Sequence, residues 1–170
     1  CRLRGDWQCP YDLFPLLSVF LFSTTPRPPR STLFPYTTLF RSQAAALLYQ
    51  ITKQKSYLED AQNIAEACHK HFFTQFTSPD GQTFQLLKKG NIWFTAVMLR
   101  GFIELYQIDH NKTYLTDFQR SLDYAWHHAR DERGLFQTDW SGTDKNEKKW
   151  LLTQAAFIEM YGRLGGINLQ

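Results

Sequence analysis

From Asn91 to Ile108 apolar residues fall on every side of a helix with 3.6 residues per turn: Ile92, Trp93, Phe94, Ala96, Val97, Met98, Leu99, Phe102, Ile103, Leu105, Tyr106 and Ile108. A helix of this kind is at home only where protein surrounds it, so it is predicted to be an inner helix. From Lys112 to Arg130 the apolar set narrows to one stripe, Tyr114, Leu115, Phe118, Leu122, Ala125, Trp126 and Ala129, with Asp117, Arg120, Asp123 and His127 elsewhere. That pattern predicts an outer helix with one covered face. The contrast recurs: Ser56 to Phe73 is amphipathic through Tyr57, Leu58, Ala61, Ile64, Ala65 and Cys68, whereas Trp150 to Leu164 is apolar nearly all round.

The alternation comes from an internal repeat. Residues 48–62, LYQITKQKSYLEDAQ, align without a gap on residues 105–119, LYQIDHNKTYLTDFQ, at an offset of 57. A third copy begins when Phe102-Ile103-Glu104-Leu105-Tyr106 returns as Phe157-Ile158-Glu159-Met160-Tyr161 at an offset of 55. Each unit reads as a helical hairpin, longer than the common repeats of about 34 residues. Hairpins of inner and outer helices either stack as an open solenoid or close into a ring. The bulky, all-round apolar inner helices favour the ring, and with it an all-α fold that is part of an (α/α)6 barrel. About two and a third hairpins are present, so residues 43–170 are expected to be the carboxyl-terminal part of a larger domain.

Residues 1–42 have a different character. Arg27 to Ser42, RPPRSTLFPYTTLFRS, resembles the in-frame translation of a sequencing adapter, and residues 1–42 hold six of the seven prolines, five Arg and two acids. From Gln43 onward Lys+Arg and Asp+Glu are 14 each, so the net charge of +3 resides in the first 42 residues. The basic balance therefore carries no inference to nucleic acid or to an anionic membrane. The apolar run Leu13 to Phe22 is interrupted by Pro15 and is too short to span a bilayer; no cleavage signal follows it. Residues 1–42 are expected to be a non-native segment. Of the three cysteines, Cys1 and Cys9 lie within it, and Cys68, on an outer-helix stripe, reads as a small buried hydrophobe.

Connectivity separates two rims. Turns from inner to outer helix are short, Thr52 to Lys55 and Asp109 to Asn111, while the returns, about Thr74 to Gly90 and Asp131 to Lys149, are long loops. Long loops are where function concentrates. The residues entering each inner helix should then line the mouth of the cavity: Asn91, Trp93 and Phe94 in one unit, Lys149 and Trp150 in the next, with Asp139 and Trp140 projecting from the longer loop. Indole faces suit the apolar side of a pyranose, and Asp and Asn side chains suit its hydroxyls. Of these, Asn91, Trp93, Phe94, Asp139, Trp140 and Trp150 are the predicted substrate-binding set.

Several blocks carry a resemblance: Asn91-Ile92-Trp93-Phe94, Leu99-Arg100-Gly101-Phe102-Ile103-Glu104-Leu105-Tyr106, Leu122-Asp123-Tyr124-Ala125-Trp126, Gly134-Leu135-Phe136, Asp139-Trp140-Ser141-Gly142 and Trp150-Leu151-Leu152-Thr153-Gln154-Ala155-Ala156. In this order they resemble bacterial glycoside hydrolase family 76, across nearly all of Gln43 to Leu164. The resemblance implies an (α/α)6 barrel, endo-acting hydrolysis of α-1,6-linked mannan with retention, a polysaccharide substrate, and secretion to the periplasm or cell surface. It also implies that two consecutive aspartates perform the chemistry.

No Asp-Asp occurs in this sequence. The adjacent acids Glu59-Asp60 and Asp131-Glu132 sit on an outer-helix surface and at a helix exit, neither suited to a pKa-shifting pocket. The catalytic pair is therefore expected upstream of Gln43 in the parent enzyme, and the chain itself is expected to be inactive. No cofactor or metal is expected either, since His69, His71, His127 and His128 do not form a tetrahedral ligand set, and there is no phosphate loop or nucleotide fingerprint. Lys88-Lys89 and Lys145 to Lys149 read as solvated loop charges balanced by nearby acids. Two alternatives stay open at this point: a helical-repeat scaffold that binds a protein or peptide, for which polar inner helices would be expected, and another (α/α)6 carbohydrate-active enzyme such as an epimerase or a polysaccharide lyase.

Overall fold

The computed structural model describes residues 35–167, with side chains described from residue 38; Cys1, Cys9 and the Leu13–Phe22 run lie outside the described residues. The elements in chain order are α1 (Pro35–Thr52), α2 (Lys55–Phe72), β1 (Phe73–Thr77), β2 (Thr83–Leu87), α3 (Ile92–Asp109), α4 (Thr113–His128) and α5 (Leu151–Gly165). Helix α1 runs through Gln43 without a break, so secondary structure marks no boundary there; Leu39 is buried and Phe40 packs on Trp93 and Phe94.

The inner and outer roles follow the apolar patterns. Helix α3 packs against α1 and α5 and also contacts the outer helices α2 and α4, burying Ile92, Val97, Met98, Leu99, Phe102 and Leu105 among others. Outer helix α4 buries only Leu115, Phe118, Ser121, Leu122 and Ala125, and α2 only Ala61, Ala65 and Cys68. The Cys68 thiol is free, and burial pushes its pKa up to about 12. Aromatic side chains join the layers. Phe118 meets Phe102 and Phe73 edge to face, and Phe136 stacks on Phe157 at 4.1 Å.

The repeat extends to backbone conformation. Lys53 and His110, equivalent at the offset of 57, both adopt the left-handed region, with φ of 57° and 56°. Each donates its amide four residues back, Lys53 to Tyr49 and His110 to Tyr106, both at 2.9 Å. A left-handed residue that returns its amide in this way closes the helix and reverses the chain.

Two features depart from the sequence reading. The connection expected as a loop over 74–90 contains an antiparallel hairpin, in register Phe73↔Leu87 through Thr77↔Thr83. Its strands lack strict alternation, with phenylalanines at 73 and 76 on one side of the turn. The turn residues Ser78-Pro79-Asp80-Gly81 between threonine-rich runs were the available signal, and Gly81 takes a φ of 85°. The hairpin is held on α4, where the Ser121 hydroxyl accepts from the Leu87 amide and donates to the Asp117 carbonyl. Helix α5 is also less enclosed than its sequence suggests. Leu151 and Ile158 are 83% and 71% exposed, because among the described helices α5 packs chiefly on α3, with a smaller contact to α4.

One ion cluster ties α5 to α3. Arg100 grips Glu159 through two hydrogen bonds of 2.6 and 2.7 Å, and Arg163 adds a third at 2.6 Å. The Arg100 guanidinium, joined by Arg163, lowers the Glu159 carboxyl from 4.5 to about 2 against the opposing effect of burial. Because the folded value is depressed, this contribution to stability is complete above pH 4.5 and disappears as pH falls towards 2. Glu159→Gln is expected to cost about 1–2 kcal/mol at pH 7, and the deficit should shrink between pH 5 and pH 2 in urea titrations. A deficit that stayed constant over that range would show that the charge is immaterial.

Two glycines give a second, paired expectation. Gly142 has a φ of 74°, and a Cβ there would collide with the His128 carbonyl; Gly134 has a φ of 79° with open space around it. Gly134→Ala should cost about 1–2 kcal/mol for the left-handed backbone alone. Gly142→Ala should lower the unfolding midpoint clearly further, because the backbone itself must move.

Candidate functional site

The rim predicted to carry function is built by the starts of α3 and α5 and by the loop 131–149. Asn91 caps α3, its Oδ1 accepting the Trp93 amide at 3.0 Å. Trp150 occupies the corresponding position of α5 without a side-chain cap. Between them lies a cleft of about 340 Å³ whose lining includes Asn91, Trp93, Trp150, Thr138, Asn146 and Gln154. Trp150 is 71% exposed and offers its indole to solvent. Trp93 is half-buried, packed against Phe94 at 5.0 Å and Phe40 at 6.0 Å. Phe94 lines a smaller adjoining cleft of about 150 Å³ together with Leu39, Met98 and Asn91.

The loop wall of the cleft is organised from within. The Gln154 side chain of α5 pairs with both backbone groups of Phe136, accepting its N–H at 2.9 Å and donating to its carbonyl at 3.0 Å. Asn146 Oδ1 accepts from the Thr138 amide and hydroxyl, at 2.7 and 3.0 Å. Gln137 Oε1 accepts from the Asn146 amide and from Lys149 Nζ. Each amide side chain replaces a strand partner that the loop lacks.

Asp139 and Trp140 do not project into the mouth. The Trp140 ring is fully buried, 4.9 Å from Phe157, and its indole N–H has no partner among the described residues. An aromatic ring in an otherwise polar loop reads as exposed in sequence; here the loop folds back over α5 and takes the ring into the core. Asp139 organises the turn that follows it. Burial alone would raise its carboxyl, but the Asp144 amide, the Ser141 and Thr143 hydroxyls and the Ser141 amide bond to it and together hold it below the usual carboxylate range. Lys149, expected at the mouth, does line the cleft. Thr138, Asn146 and Gln154 were not expected there: Gln154 was visible only as part of a sequence block, and Asn146 was hidden in a stretch whose charges read as solvated.

The cleft brings together two indoles and the side-chain amides of Asn91, Asn146 and Gln154. An acid catalyst for glycoside cleavage needs a carboxyl group with a raised pKa. Among the described residues every carboxyl group with a displaced pKa is displaced downward: Glu66, Asp80, Asp131, Asp139 and Glu159. No cluster of three or more His, Cys, Asp or Glu suited to a metal occurs among the described residues.

No family model and no curated protein matches the chain. Solved structures do. A crystal structure of a family 76 glycoside hydrolase from a bovine Bacteroides thetaiotaomicron strain is 40% identical, with a TM-score of 0.75, over 82% of this chain and 30% of that one. A family 76 glycoside hydrolase (mannosidase) from Bacteroides thetaiotaomicron VPI-5482 is 38% identical, with a TM-score of 0.72, over 77% of this chain and 36% of that one. The chain therefore spans about a third of the length of the structures it matches. In sequence and in fold, over most of its length, it is similar to the family 76 glycoside hydrolases.

Proposed function

We propose that this chain supplies part of the glycan-binding rim of an enzyme that hydrolyses α-1,6-linked mannan with retention of anomeric configuration. The observation that carries the reading is Trp150, an exposed indole at the edge of a cleft that also holds Asn91, Trp93, Asn146 and Gln154. The kinship to a structure described as a mannosidase points the cleft towards mannose-containing substrate. An indole face covers the apolar side of a pyranose, while the amides fix its orientation by hydrogen bonding.

Retention requires a nucleophilic carboxylate and an acid/base carboxyl group about 5–5.5 Å apart. The proposal assigns both to parts of the enzyme beyond the described residues, in line with the consecutive aspartates that the family resemblance implies. The role of the present residues is then to hold the sugar chain in register with that pair, and positioning of this kind is a large share of catalysis. Because mannan lies outside the cell, the reading also places the enzyme in the periplasm, at the cell surface or in the medium.

Two substitutions separate binding from folding. Trp150→Ala should leave the urea midpoint within about 0.5 kcal/mol of the parent and weaken retention on immobilised α-1,6-mannan about tenfold, a loss of about 1.4 kcal/mol. Trp140→Ala should do the opposite, costing about 3–5 kcal/mol of stability through the cavity it leaves. Retention on an α-1,4-glucan equal to that on mannan, or indifference of mannan retention to Trp150, would sink the reading.

A further inference from the structure

Helix α3 has an inner helix on either side, α1 and α5, whereas α1 and α5 each have only α3 among the described elements. Large apolar side chains stand in water at both of these ends. On α1 they include Leu47 and Ile51, 40% and 80% exposed, and on α5 Leu151 and Ile158. Apolar side chains grouped in water mark a surface that another body covers.

The repeat fixes which way these residues face. Arg100 of α3 and Glu159 of α5 bond across the junction of the two helices, so each marks the side turned to the other. On α3 the side of Arg100 also carries Ala96 and Ile103, four and three residues away, and both are buried. At the offset of 55 these positions become Leu151, Ala155 and Ile158 of α5, and all three are exposed. Helix α5 thus repeats the surface with which α3 receives its next inner neighbour, and the surface is bare. The opposite side is marked by Glu159 and its bonded neighbour Arg163. Through the offsets of 55 and 57 they correspond to Leu47 and Ile51 of α1. Leu47 and Ile51 therefore face where a preceding inner helix belongs, and that side is bare too.

The two bare sides match in chemistry. Within the chain the junction sets Arg100 against Glu159; at the open ends the same two positions hold Ala155 and Leu47, so charge is missing from both partners at once. Were only one charge missing, the other would be left unpaired against an apolar surface. We infer that the chain by itself pairs with a second copy, α5 of each packing on α1 of the other as α5 packs on α3 within it. Contacts between unlike surfaces close only where the rotation per copy completes a turn. An (α/α)6 ring has six inner helices and each copy brings three, α1, α3 and α5, so two copies complete it. In a longer enzyme of this fold, further hairpins would stand at both ends; the chain alone offers only its own copy. The inference stands apart from the glycan reading above.

Sedimentation equilibrium of the full chain is expected to give twice the monomer mass and no larger species. Ile158→Glu at one end and Ile51→Glu at the other should each raise the dissociation constant about a hundredfold; both sites are exposed, so circular dichroism should not change. Leu47→Glu should weaken the dimer similarly. Adding Ala155→Arg to Leu47→Glu should restore affinity to within about tenfold of the parent, because the ion pair made by Arg100 and Glu159 is then recreated between copies. A monomer, its ends covered by residues 1–34 or left bare, overturns the inference. So does a dimer indifferent to Ile51→Glu, in which α5 would be pairing with itself, and so does an open series of larger oligomers, in which the rotation fails to close. Failure of Ala155→Arg to rescue Leu47→Glu overturns it as well, since the two positions would then not meet. None of these outcomes bears on the retention of mannan through Trp150.

Discussion

A helix with apolar side chains around its whole circumference must be covered on every side, and that demand on α3 organises the described part of the chain. Flanking inner helices alone leave one face of α3 in water. The amphipathic helices α2 and α4 contribute the remaining cover, each with a single stripe of buried residues. Alternation of helix type along the sequence is thus the chain's way of wrapping one hydrophobic rod. The short turns at one rim follow from it as well, since an inner helix and the outer helix that covers it have to be antiparallel neighbours. Every residue left over for longer connections is sent to the opposite rim, where Trp93 and Trp150 enter their helices.

Much of this was legible because periodicity reports on burial directly. The span of α3, the stripe of α4 and the turn at Asp109–Asn111 lie within a residue or two of where the pattern puts them, and the repeat even matches the left-handed residues Lys53 and His110. The hairpin after α2 escaped because two phenylalanines three apart imitate neither a strand nor a loop. The site was legible in part. Asn91, Trp93 and Trp150 meet at one cleft because position at a helix start is a local property that a sequence displays. Trp140 and Asp139 turned inward because the path of a long loop depends on side chains far away, here Phe157 on α5 and an internal network of amide side chains. No local pattern contains that information.

The same limit explains the lysines. Charge balance counted along a chain assumes that neighbours in sequence remain neighbours in space. Lys89 finds its acid 55 residues away, in Asp144, since it stands at the start of one inner helix, Asp144 lies in the loop that leads to the next, and adjacent inner helices start side by side. A repeat fold turns residues about one period apart into neighbours. Its electrostatics are properly read down the column of equivalent positions.

The grip of Gln154 on the backbone of Phe136 has a mechanical consequence. Helix α5 carries Trp150 at its first turn and, one turn on, the amide that fixes the loop bearing Thr138 and Asn146. Two walls of the cleft are therefore parts of a single jaw. The facing jaw is the start of α3, and the Arg100–Glu159 clamp ties the two helices together further along. Width at the mouth is then set by the angle at which α5 leaves α3. A sugar spanning the jaws would therefore rest on two helices whose separation is already fixed by an ion pair remote from it.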